Sequence, residues 1–159
     1  MPEQDEVDLE QIRQQVIGWL ARREHSRQEV RQKLVRRYGA RADLNNLLDE
    51  LEQSGLLSDR RFAESLTRVR SGRGYGPLRV RAELAAKGVR AAAVEQALAE
   101  EEPDWLQLAG QALRKKFGPL PATDRESRAK QYRFLAQRGF SAEQINAALS
   151  RIAENDTPT

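Results

Sequence analysis

Apolar residues along this chain recur at helical spacing, and no stretch alternates strictly between apolar and polar as a half-buried strand would. Ile12, Val16, Trp19 and Leu20 stand at i, i+4, i+7 and i+8, which places them on one face of a helix. Val30, Leu34 and Tyr38 form a second such face, and Leu44, Leu47, Leu48 and Leu51 a third. Ser26 with Glu29 has the form of a capping box, and Gly39 is a natural helix stop. Residues 11–54 therefore read as three short helices.

The pattern then recurs. Phe62, Leu66 and Val69 follow the candidate cap Ser58. Pro77 is well placed to open a helix, where its missing N–H costs nothing, and Val80 and Leu84 continue that helix to a stop at Gly88. Val94 and Leu98 mark the next helix. A further set opens at Pro103-Asp104, with Trp105, Ala109, Ala112 and Leu113 sharing a face. Pro119 and Pro121 interrupt it, Thr123 with Glu126 is a candidate capping box, and Leu135 precedes a stop at Gly139. Ser141 with Gln144 begins a last helix carrying Ile145, Leu149 and Ile152.

These sets are copies of one unit. Leu84-Ala-Ala-Lys-Gly88 aligns with Leu135-Ala-Gln-Arg-Gly139, and Val94 and Leu98 follow the first glycine at the same offsets as Ile145 and Leu149 follow the second. Leu34 to Gly39, then Leu47 and Leu51, fits with small insertions. Self-similarity at about 45–50 residues marks a repeat array whose units bury their faces against one another. The expected fold is all-α, a tandem repeat of three three-helix units in an elongated, curved array. The boundaries are an acidic segment 1–10, units 11–57, 58–102 and 103–154, and a tail 155–159 expected to be disordered. In unit three, Gln131 stands where Val30 and Val80 stand in the others, so that unit is expected to pack differently.

Charge adds a direction. The net charge is only +3, but residues 1–10 hold five acids and no base, whereas residues 59–99 hold nine bases against four acids. Residues 100–159 balance at nine each, so the middle unit is the electropositive one. Such a patch fits a polyanionic partner, set against the plainer reading of a solvated helical surface. The opening residues lack the apolar run of a secretory signal, and no stretch approaches the roughly 18–20 apolar residues that span a bilayer. With no cysteine there is no thiolate metal site or disulfide, and a cytoplasmic location is expected.

Catalytic chemistry finds little to stand on. His25 is the only histidine, too few for a metal site or a nucleophile–base pair, and is expected to interact with a helix C-terminus or sit on the surface. The acidic runs, such as Glu100-Glu101-Glu102, read as solvated faces. The run Gly72-Arg-Gly-Tyr-Gly76 joins two helices and lacks the Gly-Lys-Ser/Thr end of a phosphate loop, so it reads as a flexible turn. Tyr75 among arginines hints at a grip on phosphate or base, but one aromatic is not a stacking platform. The expectation is a non-enzyme with no cofactor and no metal. The candidate partner-binding residues are Arg22, Arg23, Arg61, Arg68, Arg70 and Arg73, continuing with Tyr75, Arg79, Arg81, Lys87 and Arg90. Some of these bases are expected to serve the fold through i,i+4 pairs, as Arg60 with Glu64 and Arg79 with Glu83.

Four stretches in order carry a family likeness. Trp19-Leu-Ala-Arg-Arg-Glu-His-Ser-Arg-Gln-Glu-Val30 resembles the opening motif of RecX proteins, and Gly55-Leu-Leu-Ser-Asp-Arg-Arg-Phe-Ala63 their connector into the second unit. Gly74-Tyr-Gly-Pro-Leu-Arg-Val-Arg-Ala-Glu-Leu84 with Lys87-Gly88, and Tyr132-Arg-Phe-Leu-Ala-Gln-Arg-Gly-Phe140, resemble their second- and third-unit stretches. The likeness spans about residues 10–153. It implies tandem three-helix units and a partner, the RecA recombinase as its filament on single-stranded DNA. It further implies inhibition of ATP hydrolysis, strand exchange and filament extension. On physical grounds, a curved basic array is expected to act by docking in the filament groove or at its end, as a monomer, with weak direct DNA binding as a further expectation. The rival expectations are a helix-turn-helix DNA-binding regulator acting without RecA and a purely structural adaptor.

Overall fold

The computed structural model describes residues 7–155, and within them it holds nine helices and no strand. The helices are α1 (Leu9–Arg22), α2 (Arg27–Tyr38), α3 (Leu44–Gln53), α4 (Asp59–Gly72) and α5 (Pro77–Ala86). They continue as α6 (Ala91–Glu101), α7 (Trp105–Phe117), α8 (Arg125–Gln137) and α9 (Ala142–Asn155). The expectation of disorder in 155–159 falls, beyond Asn155, outside the described residues.

Local chemistry explains most boundaries. Ser26 caps α2 reciprocally with Glu29, and Ser141 does the same with Gln144 ahead of α9. Ser58 accepts from the Arg61 N–H at the start of α4, and Pro77 occupies the first turn of α5. One expected cap shifts by a residue. Asp124, not Thr123, opens α8 by accepting from both the N–H and the hydroxyl of Ser127. A carboxylate on the positive helix end binds more strongly than a hydroxyl, which decides the register. At the chain start Asp8 caps α1, so helix begins within the acidic segment and Val7 and Leu9 already pack on the first core.

The core comes in three clusters, built around Leu34, Leu84 and Leu135, the repeat-equivalent residues of α2, α5 and α8, each wholly buried. In the second unit α4 packs chiefly on α6, and in the third α7 packs on α9. Trp105 touches both the second and third clusters and meets Phe140 edge-on at 6.5 Å, so one large ring ties the two units. The architecture is the helical repeat array that the periodicity predicts.

The units are joined by one device used twice. The turn ending the middle helix of one unit docks on the start of the middle helix of the unit before it. At the first joint the Ser26 hydroxyl donates to the Lys87 carbonyl at 2.8 Å and the Gln28 side chain to the Ala86 carbonyl at 2.9 Å. At the second joint the backbone makes the contact. Gly76 N–H donates to the Arg138 carbonyl at 2.8 Å and Leu78 N–H to the Gly139 carbonyl at 2.9 Å. This contact requires glycine twice. A Cβ on Gly76 would lie 2.5 Å from the Gly139 backbone, and Gly139, at φ +94°, would place its own 2.5 Å from the Arg79 Cβ. The run 72–76, expected to be a flexible turn, ends in Gly76, whose backbone forms one half of a joint.

Candidate functional site

The two joints occupy equivalent places in the repeat, so differences between them are informative. In the first, the acid Glu29 pairs with Arg23 at 2.9 Å and with Lys87 at 3.6 Å. Burial raises the Glu29 pKa, but the hydrogen bonds from Arg23 and the Ser26 N–H, with the charges of Arg23 and Lys87, outweigh it, and the carboxyl titrates below its ordinary value. His25 lies beside it and is buried, contrary to the surface placement that was one expectation. Its Nδ1 is 3.0 Å from the Arg23 carbonyl at the end of α1, and its Nε2 is 3.1 Å from the Lys33 ammonium. An ammonium can only donate, so Nε2 accepts and Nδ1 carries the proton to the carbonyl. The ring is neutral, and its pKa is lowered by burial and by the charges of Arg23 and Lys33. The first joint is thus a contact in which one buried acid is shared by two bases and a neutral imidazole is hydrogen-bonded at both nitrogens.

In the second joint Tyr75 stands at the place of His25, Arg79 at that of Glu29, and Arg138 at that of Lys87. The acid–base pair has become two bases. Both lie over one ring, with the Arg79 and Arg138 guanidinium carbons 4.1 and 4.7 Å from the Tyr75 centroid. The ring quadrupole holds these cations close without neutralising them. Arg138 also lies 5.1 Å from the Phe134 ring, and Phe134 meets Phe117 edge-on at 5.5 Å.

A groove of about 560 Å³ opens at this joint. Its aromatic lining is Tyr75, Phe117 and Phe134, and its cations are Arg79, Lys116, Lys130, Arg133 and Arg138. No carboxylate lines it. Arg79 meets Glu83 at 3.3 Å from outside, whereas Lys116, Lys130 and Arg133 make no ion pair among the described residues. The adjoining hollow adds Arg73 and Lys115, again with no acid. Uncompensated cations with exposed aromatic rings can bind a polyanion that carries flat groups.

The sequence-derived set divides around this groove. Tyr75, Arg79 and Arg73 come together there. Arg61 pairs with Glu24, Arg68 with Glu101, Arg70 with Glu83 and Arg81 with Glu95. Arg23 and Lys87 meet at Glu29 in the first joint. Arg22 and Arg90 are exposed elsewhere in units one and two. The expected i,i+4 pairs Arg60–Glu64 and Arg79–Glu83 are present at 3.6 and 3.3 Å. Sequence reasoning missed the third unit's share: Lys116, Phe117, Lys130, Arg133, Phe134 and Arg138. Basic and aromatic residues do interleave in Lys115-Lys-Phe117 and Arg133-Phe134. The even charge balance of the last third hid them, because its acids lie at the helix starts and outer ends.

No group of three or more His, Cys, Asp or Glu that would suit a metal occurs among the described residues, and no helix is long and apolar enough to cross a membrane.

Comparison with known proteins places this arrangement. Residues 58–98 match the family model of the second three-helix domain of RecX, and residues 102–149 that of the third. The regulatory protein RecX of Chromohalobacter salexigens is 46% identical over 143 residues, spanning 90% of this chain and 93% of its own. That of Pseudomonas putida strain GB-1 is 45% identical, spanning 87% and 89%. The fold matches the crystal structure of RecX from Lactobacillus salivarius with a TM-score of 0.73 at 20% identity, covering 91% of this chain and 96% of that one. With two successive domain models matched in order and relatives aligned across most of its length, the chain belongs to the RecX family of regulatory proteins.

Proposed function

We propose that the protein is a non-enzymatic negative regulator of the RecA recombinase. As a monomer in the cytoplasm, it binds the RecA filament on single-stranded DNA, in the groove or at an end, and inhibits ATP hydrolysis, strand exchange and filament extension. The observation that carries this reading is the carboxylate-free groove of cations and rings at the joint of units two and three, in a chain of the RecX family. A nucleoprotein filament is a polyanion of helical shape, and a helical array can lie along it with this groove against the filament. Arg73 and Arg79 of the sequence-derived set rim the groove. Arg22, Arg23, Arg61, Arg68, Arg70, Arg81, Lys87 and Arg90, all in units one and two, are the remaining candidates for partner contact. Docking across neighbouring protomers resists the motions coupled to ATP hydrolysis, and docking at an end blocks addition.

The test is RecA ATP hydrolysis on single-stranded DNA with this protein added well below stoichiometry. A progressive fall in rate is expected, weakened about tenfold or more in dose by the triple change Lys116→Gln, Lys130→Gln and Arg133→Gln. Unchanged hydrolysis at equimolar protein would overturn the reading. Tight, sequence-specific binding to duplex DNA in the same preparation would put the helix-turn-helix regulator in its place.

A further inference from the structure

We propose that the first joint is an openable polar clasp, on which unit one swings as a rigid body while units two and three move together as a second. The inference concerns the chain itself and does not rest on the RecA reading.

The cores set the division. Every residue of the first cluster, with the partly buried residues packed on it, lies at or before Leu57. The second and third clusters share Trp105, whose ring meets Phe140 edge-on, so those two units have a continuous apolar interior. Across the second joint α4 also packs on α7, and among the described residues no helix of unit one packs comparably on a helix of unit two. The chain passes from the first core to the second within a few residues. Leu57 is buried in the first and Phe62 in the second, and Ser58 between them is extended, at φ −151° and ψ 113°. Bodies that share no large apolar interface move relative to one another by default.

The bonds that close the first joint are of an exchangeable kind. The Ser26 hydroxyl and the Gln28 amide donate to the carbonyls of Lys87 and Ala86, and the Asp59 carboxylate accepts from the Arg27 N–H at 2.8 Å. Two ion pairs complete the set, Glu24 with Arg61 at 3.0 Å and Glu29 with Lys87 at 3.6 Å. Every one of these contacts uses a side chain that can rotate away and be replaced by water or salt, so each adds little net stability to the closed form.

The second joint follows the same plan with different means. Its contacts run from backbone to backbone, through the N–H groups of Gly76 and Leu78. A Cβ on Gly76 would strike backbone, whereas one on Gly88 at the first joint would meet the Gln28 side chain, which can swing aside. The molecule therefore has one fixed and one movable joint. The rings and cations of the second joint keep their geometry while unit one changes its angle to them.

The chain has no cysteine, so pairs of spin labels can be attached at introduced cysteines alone. Double electron–electron resonance on the full chain would compare Arg36→Cys with Gln96→Cys, across the first joint, and Gln96→Cys with Asn146→Cys, across the second. All three positions are exposed. The distance distribution across the first joint is expected to be at least about twice as wide as that across the second. Raising salt from about 0.1 M to about 1 M should widen it further and leave the second unchanged. The clasp variant Glu24→Gln with Gln28→Ala, checked for native helix content, should do the same, and the salt arm needs no clasp variant at all. Equally narrow distributions across the two joints would overturn the proposal. So would a first-joint distribution that salt does not move, or equal widening at both joints.

Discussion

Gln131 and His25 are both polar side chains in a helical core, and they behave differently because their surroundings do. Gln131 takes the place that Val30 and Val80 hold in the other units and is 7% exposed, lining the hollow beside Pro121 and Leu149. Among the described residues no fully buried side-chain polar atom lacks a partner, so its amide keeps its access to water through that hollow. Gln131→Leu is expected to stabilise the protein by about 1 kcal/mol, since it removes a half-desolvated amide and adds apolar contact. Urea unfolding reads this directly, and a lower midpoint would refute it. His25 is satisfied only while neutral. Its pKa is depressed, so the unfolded chain takes up the proton first, and the stability present above about pH 6.5 declines as pH falls through the value of the folded state. His25→Gln should flatten that part of the stability–pH curve, measured as urea midpoints at about pH 7.5 and about pH 5.5. An unchanged slope would mean that the imidazole does not titrate in that window.

At the scale of elements, a glycine's meaning depends on what its missing side chain would touch. Gly18 lies inside α1, and a Cβ there would meet nothing within 4 Å, so Gly18→Ala should stabilise the helix by about 0.5–1 kcal/mol. Gly76 meets the unyielding backbone of Gly139 at 2.5 Å. Gly76→Ala must push α5 away from the α8–α9 turn, breaking two backbone hydrogen bonds, at an expected cost of about 1–3 kcal/mol. Because the same joint brings Tyr75 and Arg79 to Arg138, the variant should also lose binding at the groove while its helix content stays near native by circular dichroism. Opposite signs for the two glycine changes are the prediction, and matching signs would sink the account of the joint.

For the whole molecule, the small net charge conceals a separation of roles. Ion pairs such as Arg68–Glu101 and Arg81–Glu95 spend the middle unit's bases on its own acids, while cations of the third unit face the groove unpaired. Docking on the filament should therefore depend on salt through a few phosphate contacts only. Three phosphate contacts give a slope of log K against log salt of about −2, which the Lys130→Gln, Arg133→Gln pair should reduce to about −0.7. A slope unaffected by that change would place the phosphates elsewhere. Helix type, caps and the repeat were legible in the order of residues because helical spacing and capping are short-range matters, settled within one or two turns. Leu34, Leu84 and Leu135 announce three equivalent cores by their offsets from the glycine stops. Two things were not legible. One was which arginines are already paired, because Glu101 and Glu95 reach theirs across 33 and 14 residues. The other was that Tyr75 has ring neighbours more than 40 positions away. Sequence alone determined the elements and their grouping into units, through local hydrogen bonding and apolar periodicity. The groove was decided only by tertiary structure, because it arises where the backbone of Gly76 docks on that of Gly139 and brings the charges and rings of two units to one place.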